Sequence, residues 1–244
     1  MAEPRSEPDV FIQSRFSMSI ATNSLHLQGV RFRISHYSDA LYNQHQIHFP
    51  ASLNNAVIKR KAEFLAGRLA ARAACSGCRY AEYCHQIGIG PLRAPVWPDG
   101  ISGSITHCCL SAAEGIALAT SGHQNELLGI DLEKQMSVEM AAELAGSFAS
   151  DEELALIRQT GQQAFYLTAL FSAKESFFKA LSPLIGQYFD FDAITLTSLS
   201  PGQLHFRVQH PECLTLLTQS DITIACYEFE TDLLLTVAKF CIPA

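Results

Sequence analysis

The order of helical and extended patterns along the chain predicts an α+β protein built from two similar halves. Each half reads as a strand, a long helix and then several more strands. The two long helical patterns lie at comparable positions, and a turn over residues 122–125 separates the halves. Because the halves share no strong residue identity, the repeat is inferred from this order alone. We therefore expect halves spanning residues 1–122 and 123–244, arranged as a pseudo-dimer with the active site at their junction.

The N-terminal half begins with an extended pattern and continues into a basic helix. Val30, Phe32 and Ile34 alternate with polar residues, which predicts a half-buried strand over residues 26–37. Residues 55–74 carry apolar side chains at helical spacing. The remaining surface of this helix holds five cations, at Lys59, Arg60, Lys61, Arg68 and Arg72. In an acidic protein this pattern favours a local anion site, with a solvated basic face as the alternative.

A stiff loop joins the basic helix to the next strand. It is rich in Pro and Gly between residues 86 and 100 and carries Arg93. The stretch Gly103-Ser-Ile-Thr-His107 follows. Short side chains at Ser104 and Thr106 would let a ligand approach the backbone, and Thr106 and His107 offer hydrogen-bond donors to a phosphate. The alternative for His107 is a structural histidine that ends a strand.

The C-terminal half reads as an acidic strand, helices and four further strands. Residues 114–121 and 126–133 are extended patterns on either side of the central turn. Ser150-Asp-Glu-Glu153 has the pattern of a capping box, which predicts a helix that begins at Asp151. A long helix follows it. The last four strand patterns cover residues 194–199, 204–208, 222–228 and 233–240.

The acidic strand carries two carboxylates on one face. Asp131 and Glu133 are two residues apart, so both point away from the face that holds Ile130 and Leu132. Two ionised carboxylates side by side need a cation between them, and Mg²⁺ bound partly through substrate phosphates suits an all-oxygen site. A helix crossing this strand could supply Glu175 as a third carboxylate. The alternative is a solvated strand edge.

The long helix has charges in an otherwise apolar segment. Lys174, Glu175 and Lys179 interrupt the hydrophobic run from Phe171 to Leu181. Glu175 and Lys179 stand one turn apart, so a surface ion pair is the alternative interpretation. The acidic motif upstream favours a functional site instead.

Composition limits the possible partners. With 244 residues, 48% of them hydrophobic, the chain can bury a sizeable core. A formal net charge of -7 argues against bulk binding to nucleic acid or a membrane surface. The first ten residues lack the apolar core of a secretory signal, and no segment is apolar enough to span a membrane. We therefore expect a cytoplasmic monomer with no nucleic-acid partner and no transmembrane segment.

The eight cysteines are expected to be reduced thiols. Cys75, Cys78, Cys84 and His85 have a Cys-x2-Cys-x5-Cys-His spacing that supplies four possible zinc or iron ligands. Since the second pair of a zinc ribbon is missing, the favoured interpretation is structural, with metal binding as the alternative.

Several motifs in a fixed order give the chain a resemblance to a known family. They are Arg60-Lys-Ala-Glu-Phe64 with Gly67-Arg68, Trp97-Pro98, Gly103-Ser-Ile-Thr-His107, Gly129-Ile-Asp-Leu-Glu133, and Phe171-Ser-Ala-Lys-Glu-Ser176 with Lys179. Over roughly residues 45–200 they resemble the 4'-phosphopantetheinyl transferases, in particular the single-chain enterobactin-synthase-component and surfactin-type enzymes. The chain departs from that pattern where Phe171 replaces Trp, Thr106 replaces Ser, and Arg93-Ala-Pro95 replaces Lys-Pro. The last change leaves Arg93 without an assigned role.

The resemblance implies a pseudo-dimer that holds coenzyme A in the cleft between its halves, with Mg²⁺ on the pyrophosphate. Asp131, Glu133 and Glu175 would be the metal ligands. The residues implied for coenzyme A are Arg60, Arg68, Thr106, His107 and Lys174. The partner would be an acyl, peptidyl or aryl carrier-protein domain in siderophore or secondary-metabolite biosynthesis.

The implied reaction transfers the 4'-phosphopantetheine group from coenzyme A to a serine of the carrier protein and releases 3',5'-ADP. Glu175 would also be the general base, directly or through a water molecule, and Lys179 would stabilise charge as the pyrophosphate bond breaks. One alternative is a Mg²⁺-dependent nucleotide or pyrophosphate hydrolase. Another is a non-catalytic module that binds coenzyme A or a carrier protein, but binding alone would not need all of Asp131, Glu133, Glu175 and Lys179.

Overall fold

The computed structural model describes residues 10–20, 24–76 and 87–242. In the first part of the chain the elements are β1 (Ile12–Ile20), β2 (Leu25–Arg33), α1 (Ala40–Gln44), α2 (Ile58–Cys75), β3 (Gly88–Ile89), β4 (Pro95–Val96), β5 (Ile101–Cys109) and β6 (Glu114–His123). In the second part they are β7 (Glu126–Lys134), α3 (Val138–Leu144), α4 (Asp151–Arg158), α5 (Gln163–Ile185), β8 (Ile194–Ser200), β9 (Gln203–Val208), α6 (Pro211–Leu217), β10 (Asp221–Glu230) and β11 (Leu233–Cys241).

The strands form two antiparallel sheets, one in each part of the chain. The first sheet has the order β1-β2-β6-β5, and the second has the order β7-β11-β10-β9-β8. The chain passes from one to the other at the short turn between His123 and Glu126. The predicted α+β class with two halves is therefore confirmed.

Each sheet is covered by one long helix, and the sheets meet each other through a shared core. Helix α2 packs on β2, β5 and β6, whereas α5 packs on β7 and β11. The core between the sheets takes side chains from both of them, including Ile116 and Leu118 of β6 and Ile130 and Leu132 of β7. Because strand side chains alternate, the opposite face of β7 is turned towards α5. The alternation predicted for β7 thus places one set of its side chains between the two sheets and the other set against α5.

The edges of the two sheets are joined through side chains where β5 runs beside β7. The hydroxyl of Ser104 accepts a hydrogen bond from the backbone N–H of Ile130 at 3.0 Å, and that of Thr106 accepts one from Leu132 at 3.0 Å. These bonds satisfy backbone groups of an edge strand that would otherwise be buried without partners. The short side chains on β5 therefore admit the backbone of β7, and the approach of a ligand to Ser104 and Thr106 stays a prediction.

Several elements differ from the sequence-based expectation. Strand β1 and helix α6 were not predicted. β2 ends at Arg33 because residues 34–36 form a short 3₁₀ turn. His107 lies inside β5 and does not end the strand. Of the proposed metal cluster, Cys78, Cys84 and His85 lie outside the described residues, and Cys75 is buried at the end of α2.

The capping box predicted at Ser150 is present, with both reciprocal side-chain bonds, and α4 begins at Asp151 as expected. In the part of the chain that the structure describes, no helix is long and apolar enough to cross a membrane.

Candidate active site

A glycine on β7 sets how closely the long helix approaches the acidic strand. A Cβ atom at Gly129 would lie 1.8 Å from the backbone oxygen of Ser176 on α5. Real side chains do not approach that closely, so only glycine permits this contact. The close approach brings Lys179 of α5 into contact with Asp131, two residues further along β7.

Asp131 is the centre of the site and is almost completely buried. Its Oδ1 atom accepts a hydrogen bond from Lys179 Nζ at 2.5 Å and another from the Thr106 hydroxyl at 3.3 Å. Its Oδ2 atom accepts one from Ser172 at 2.8 Å. Lys179 therefore pairs across the helix–strand contact, which rules out a purely surface pair of Lys179 with Glu175 on α5.

Two further carboxylates lie in the same electrostatic environment. Burial raises the pKa of Glu133 to about 7, with Asp131 and Glu175 acting in the same direction and Lys179 opposing them. Burial also raises the pKa of Glu175, again reinforced by Asp131 and opposed by Lys179. Both carboxyl groups are thus held towards their neutral forms, chiefly by burial, in spite of the neighbouring ammonium.

This donor set suits a hard divalent cation. All three carboxylates offer oxygen ligands, and the raised pKa values of Glu133 and Glu175 are what an added cation would lower. Among the residues described, no group of three His, Cys, Asp or Glu side chains is arranged to hold a metal ion as it stands. The metal role of Asp131, Glu133 and Glu175 therefore stays a prediction.

A basic pair faces this acidic cluster from the other half of the protein. Arg60 Nη1 on α2 donates to His107 Nε2 on β5 at 3.0 Å. Burial lowers the pKa of His107 to about 4; Glu63 and Asp131 oppose this shift, while Lys179 and Arg60 add to it. The imidazole is therefore neutral at pH 7. Its pKa is affected by Glu63 and Arg60 from the first half and by Asp131 and Lys179 from the second. Arg60 itself has no carboxylate partner among the described residues.

Glu63 lies behind the basic pair. Its Oε1 atom accepts a hydrogen bond from Cys109 Sγ at 3.1 Å and lies 3.8 Å from His107 Nδ1. Lys59 is 3.9 Å from the same oxygen. Since Arg60 donates to Nε2, the proton of the neutral imidazole is on Nδ1, on the side of Glu63.

Other residues predicted to hold coenzyme A make their polar contacts within the protein. Arg68 donates to the backbone oxygens of Ile87 and Gly88 at 2.7 and 2.8 Å. Lys174 Nζ donates to Glu153 and to the backbone oxygen of Phe148, both at 2.8 Å. The Thr106 hydroxyl, as described above, bridges β5 and β7. Their direct contact with coenzyme A stays a prediction.

A cavity of about 200 Å³ lies beside the helical part of the site. Lys174 and Glu175 line it together with a group of aromatic side chains, at Phe177, Phe178, Tyr188, Phe189 and Phe191. Glu175 thus lines a largely aromatic cavity that also contains Lys174 and Asp190, while Asp131 is enclosed by its hydrogen-bond partners.

Comparison with known proteins identifies the family of this chain. A model of the 4'-phosphopantetheinyl transferase N-terminal domain matches residues 49–118, and the 4'-phosphopantetheinyl transferase superfamily model matches residues 127–238. The chain is 39% identical to enterobactin synthase component D of Salmonella austin over 189 residues, which is 78% of this chain and 75% of the relative. The chain belongs to the 4'-phosphopantetheinyl transferase superfamily.

Other relatives support the same assignment. The chain is 38% identical to enterobactin synthase component D of Escherichia coli strain K12 over 167 residues, 67% of this chain and 73% of the relative. It is 36% identical to the 4'-phosphopantetheinyl transferase Svp of Streptomyces mobaraensis over 171 residues, 66% of this chain and 65% of the relative. The family and the enzyme type predicted from the motifs are confirmed.

The structure of this transferase also reveals residues that sequence reasoning missed. Glu153 was read only as part of a capping box, yet it is buried and also binds Lys174 and the backbone N–H of Leu196. Ser172 lies inside a recognised motif but was given no role. Thr236 is a hydroxyl residue within the otherwise apolar run from Leu233 to Ala238 of β11. An isolated hydroxyl in a buried strand is a signal that could have identified it.

Proposed function

We propose that this transferase moves the 4'-phosphopantetheine group of coenzyme A to a serine hydroxyl of a carrier-protein domain, with release of 3',5'-ADP and dependence on Mg²⁺. The observation that carries the proposal is the meeting of two opposite charge groups at the junction of the halves. Asp131 is bonded by Lys179 at 2.5 Å and by Thr106 of β5 at 3.3 Å, and Arg60 of α2 contacts His107, the residue next to Thr106, at 3.0 Å. A site of carboxylates beside a basic pair suits a pyrophosphate ligand with a divalent cation.

Asp131, Glu133 and Glu175 would hold the magnesium ion. When bound, the ion would neutralise part of the negative charge of the pyrophosphate. The raised pKa values of Glu133 and Glu175 support this assignment, because burial and the neighbouring Asp131 disfavour their ionised forms and a bound cation would favour them.

Glu175 would accept the proton of the serine hydroxyl. A serine hydroxyl near its ordinary pKa is a poor nucleophile, so the transfer needs a group that accepts this proton. The serine oxygen forms a bond to the β-phosphorus of coenzyme A, the bond from that phosphorus to the bridging oxygen breaks, and 3',5'-ADP leaves. The largely aromatic cavity beside Glu175 offers a side from which that hydroxyl could approach.

Lys179 would stabilise the charge that develops on the leaving group. Its side chain is 29% exposed, whereas that of Asp131 is only 5% exposed, so the ammonium is the more accessible member of the pair. A cation already fixed by Asp131 loses little freedom when it contacts the transition state.

Arg60 and His107 would receive the phosphates of coenzyme A. Arg60 contacts the neutral His107 imidazole and has no carboxylate partner among the described residues, so its charge is available to an anion. A phosphate beside this pair would favour the protonated imidazole and so raise the pKa of His107 from its low value. Arg68, Thr106 and Lys174 were also predicted to hold coenzyme A, and their internal contacts favour a supporting role.

The names of the relatives indicate which carrier proteins to try first. Several are enterobactin synthase component D proteins, and another is a 4'-phosphopantetheinyl transferase. We propose that this chain modifies a carrier domain of siderophore or secondary-metabolite assembly, whether acyl, peptidyl or aryl.

The test is release of 3',5'-ADP from coenzyme A and Mg²⁺, with and without an apo peptidyl carrier domain. The proposal predicts that release requires the carrier domain. Release at full rate without it would identify a hydrolase instead. Binding of coenzyme A with no 3',5'-ADP in either reaction, over a panel of aryl, acyl and peptidyl carrier domains, would identify a binding module.

A further inference from the structure

Three hydroxyl side chains form a fully buried chain that ends on Asp131. Ser176 Oγ lies 2.6 Å from Thr236 Oγ1, and Thr236 Oγ1 lies 2.8 Å from Ser172 Oγ. Ser172 Oγ in turn lies 2.8 Å from Asp131 Oδ2. None of the three hydroxyl residues is exposed to solvent. No water molecule can therefore reach these hydroxyl groups to replace the hydrogen bonds between them.

The order of the protons along this chain is determined by its last member. An ionised carboxylate only accepts hydrogen bonds, so Ser172 donates its proton to Asp131. Ser172 can then accept from Thr236, while Ser176 donates to the hydroxyl of Thr236 at 2.6 Å or to its backbone oxygen at 3.2 Å. Each hydroxyl therefore donates one hydrogen bond. The resulting network holds the Asp131 side chain in a single orientation.

The backbone arrangement supports a dedicated role for this chain. Thr236 on β11 is the direct cross-strand partner of Asp131 on β7, so both side chains point to the face that α5 covers. Ser172 and Ser176 are one helical turn apart on that face of α5. Buried hydroxyls contribute little net stability compared with well-packed apolar side chains, since each must first lose its bonds to water. Stability alone therefore gives little reason for three hydroxyls here.

We propose that Ser172 is a positioning residue that, supported by Thr236 and Ser176, orients the carboxylate of Asp131 towards a divalent cation. The inference rests on the proposed function, in which Asp131 is a metal ligand. Ser172 contacts Oδ2, while Oδ1 faces Lys179 and Thr106 at the junction of the halves, so the two oxygens have separate partners. Partners that orient a metal ligand in this way typically change metal affinity about 10–100-fold when they are removed.

The test measures Mn²⁺ affinity by electron paramagnetic resonance, with saturating coenzyme A and no carrier protein. Ser172→Ala should weaken Mn²⁺ binding by about tenfold or more. Thr236→Val keeps the shape but removes the hydroxyl, and it should weaken binding in the same direction. Thr236→Ser restores the hydroxyl and should bind Mn²⁺ nearly as the wild type does.

A matched control lies on the same helix. Ser182 is also a buried serine of α5, about 15 Å along the helix from Ser172. Ser182→Ala should leave Mn²⁺ affinity unchanged even if its thermal melt shifts. Wild-type affinity in Ser172→Ala would overturn the proposal. If that variant does not fold, equal affinities in Thr236→Val and Thr236→Ser would overturn it.

The experiment separates this inference from the proposed function. A wild-type protein that transfers the phosphopantetheine group, while Ser172→Ala keeps full Mn²⁺ affinity, contradicts the inference alone. A wild-type protein that never modifies a carrier, but binds Mn²⁺ in a Ser172-dependent way, contradicts the proposed transfer alone. A wild-type protein that binds no Mn²⁺ overturns both the positioning role and the metal part of the proposed function.

Discussion

Lys179 Nζ lies 2.5 Å from Asp131 Oδ1, so the cation of α5 is held by the carboxylate of β7. This contact joins the two motifs on which the site depends, since one partner comes from the acidic strand and the other from the long helix. It also places a positive charge beside two carboxylates whose pKa values remain raised in spite of it. The contact therefore has consequences for both catalysis and stability.

Replacing Lys179 by methionine should lower turnover much more than it weakens coenzyme A binding. The reason is that the proposed contact of the ammonium strengthens only as charge develops on the leaving group. Methionine keeps an apolar stem along the helix. In EDTA the variant should also lose roughly 1.5–3 kcal/mol of unfolding free energy, because Asp131 loses a charged hydrogen-bond donor.

Single-turnover rates with saturating coenzyme A and carrier protein, together with urea denaturation, measure both effects of Lys179→Met. Lys179→Arg is the control, since it keeps the charge with a different reach and should be partly active. Transfer by Lys179→Met at nearly the wild-type rate would show that the ammonium has no catalytic role.

The stability of the metal-free protein should depend on the protonation of Glu133. Its pKa rises from 4.5 to about 7 in the fold, so the folded state binds more protons than the unfolded state between these values. The unfolding free energy should therefore fall as the pH rises from about 4.5 to 7, at most by about 1.4 kcal/mol per pH unit for one group. Above that range the contribution of Glu133 should be constant.

Urea denaturation in EDTA across this pH range, for the wild type and Glu133→Gln, measures the Glu133 contribution as a difference. The variant lacks the titrating group, so its stability should fall less steeply. Added Mg²⁺ should restore wild-type stability mainly at the upper end of the range, where the carboxylate is ionised. Parallel curves for the two proteins would show that Glu133 titrates normally in the fold.

Lys174→Met should chiefly destabilise the protein. Lys174 and Glu153 form an ion pair at 2.8 Å with side-chain exposures of 3% and 1%, and removing one partner leaves a buried charge. The expected loss is about 3–5 kcal/mol. Burial also lowers the pKa of Lys174, while Glu153 opposes that shift.

Thermal melts and the Michaelis constant for coenzyme A distinguish the two roles of Lys174. Glu153→Gln should destabilise by the same mechanism, and the double variant should lose less than the sum of the two. If Lys174→Met instead melts like the wild type and raises the Michaelis constant, then Lys174 binds coenzyme A, as the family resemblance implied.

The difference between these expectations for Lys174 shows what the sequence could and could not predict. The alternation in β7 correctly placed Asp131 opposite Ile130 and Leu132, since strand periodicity is a local property. The partner of Lys174 was not predictable in this way. Glu153 is 21 residues away, and the contact depends on how α4 docks against α5 and β8.

The same limit applies to the hydroxyls around Asp131. Thr236 becomes its neighbour only because β11 pairs with β7 in one register, and neither strand order nor register can be read from an apolar run. The short side chains of Ser104 and Thr106 were noticed, but their neighbour is the backbone of β7 from the other half. Sequence patterns identified the chemistry of the site, whereas tertiary packing decided which groups remain free for a ligand.

Arg60→Ala should raise the Michaelis constant for coenzyme A with little change in turnover. A phosphate contact far from the reacting bond contributes nearly equally to the ground state and the transition state. One charge-assisted contact is worth about 1.5–3 kcal/mol, which corresponds to roughly a 10- to 150-fold change.

Arg68→Ala is the matched control on α2. Arg68 is buried and donates to Ile87 and Gly88, so its removal should mainly lower the melting temperature. Dephospho-coenzyme A, which lacks the 3'-phosphate, identifies the group that Arg60 reads. If the wild type and Arg60→Ala discriminate equally against it, Arg60 does not contact that phosphate.

The central claim is that the carboxylate and lysine cluster transfers a phosphopantetheine group to a carrier protein. The most direct measurement is the intact mass of an apo carrier domain after incubation with coenzyme A, Mg²⁺ and this transferase. We predict a mass increase of one phosphopantetheine group with the wild type and none with Glu175→Gln, even at raised pH, because that change removes both a metal ligand and the base. An unchanged carrier mass with the wild type across aryl, acyl and peptidyl domains, or full modification by Glu175→Gln, would contradict the account.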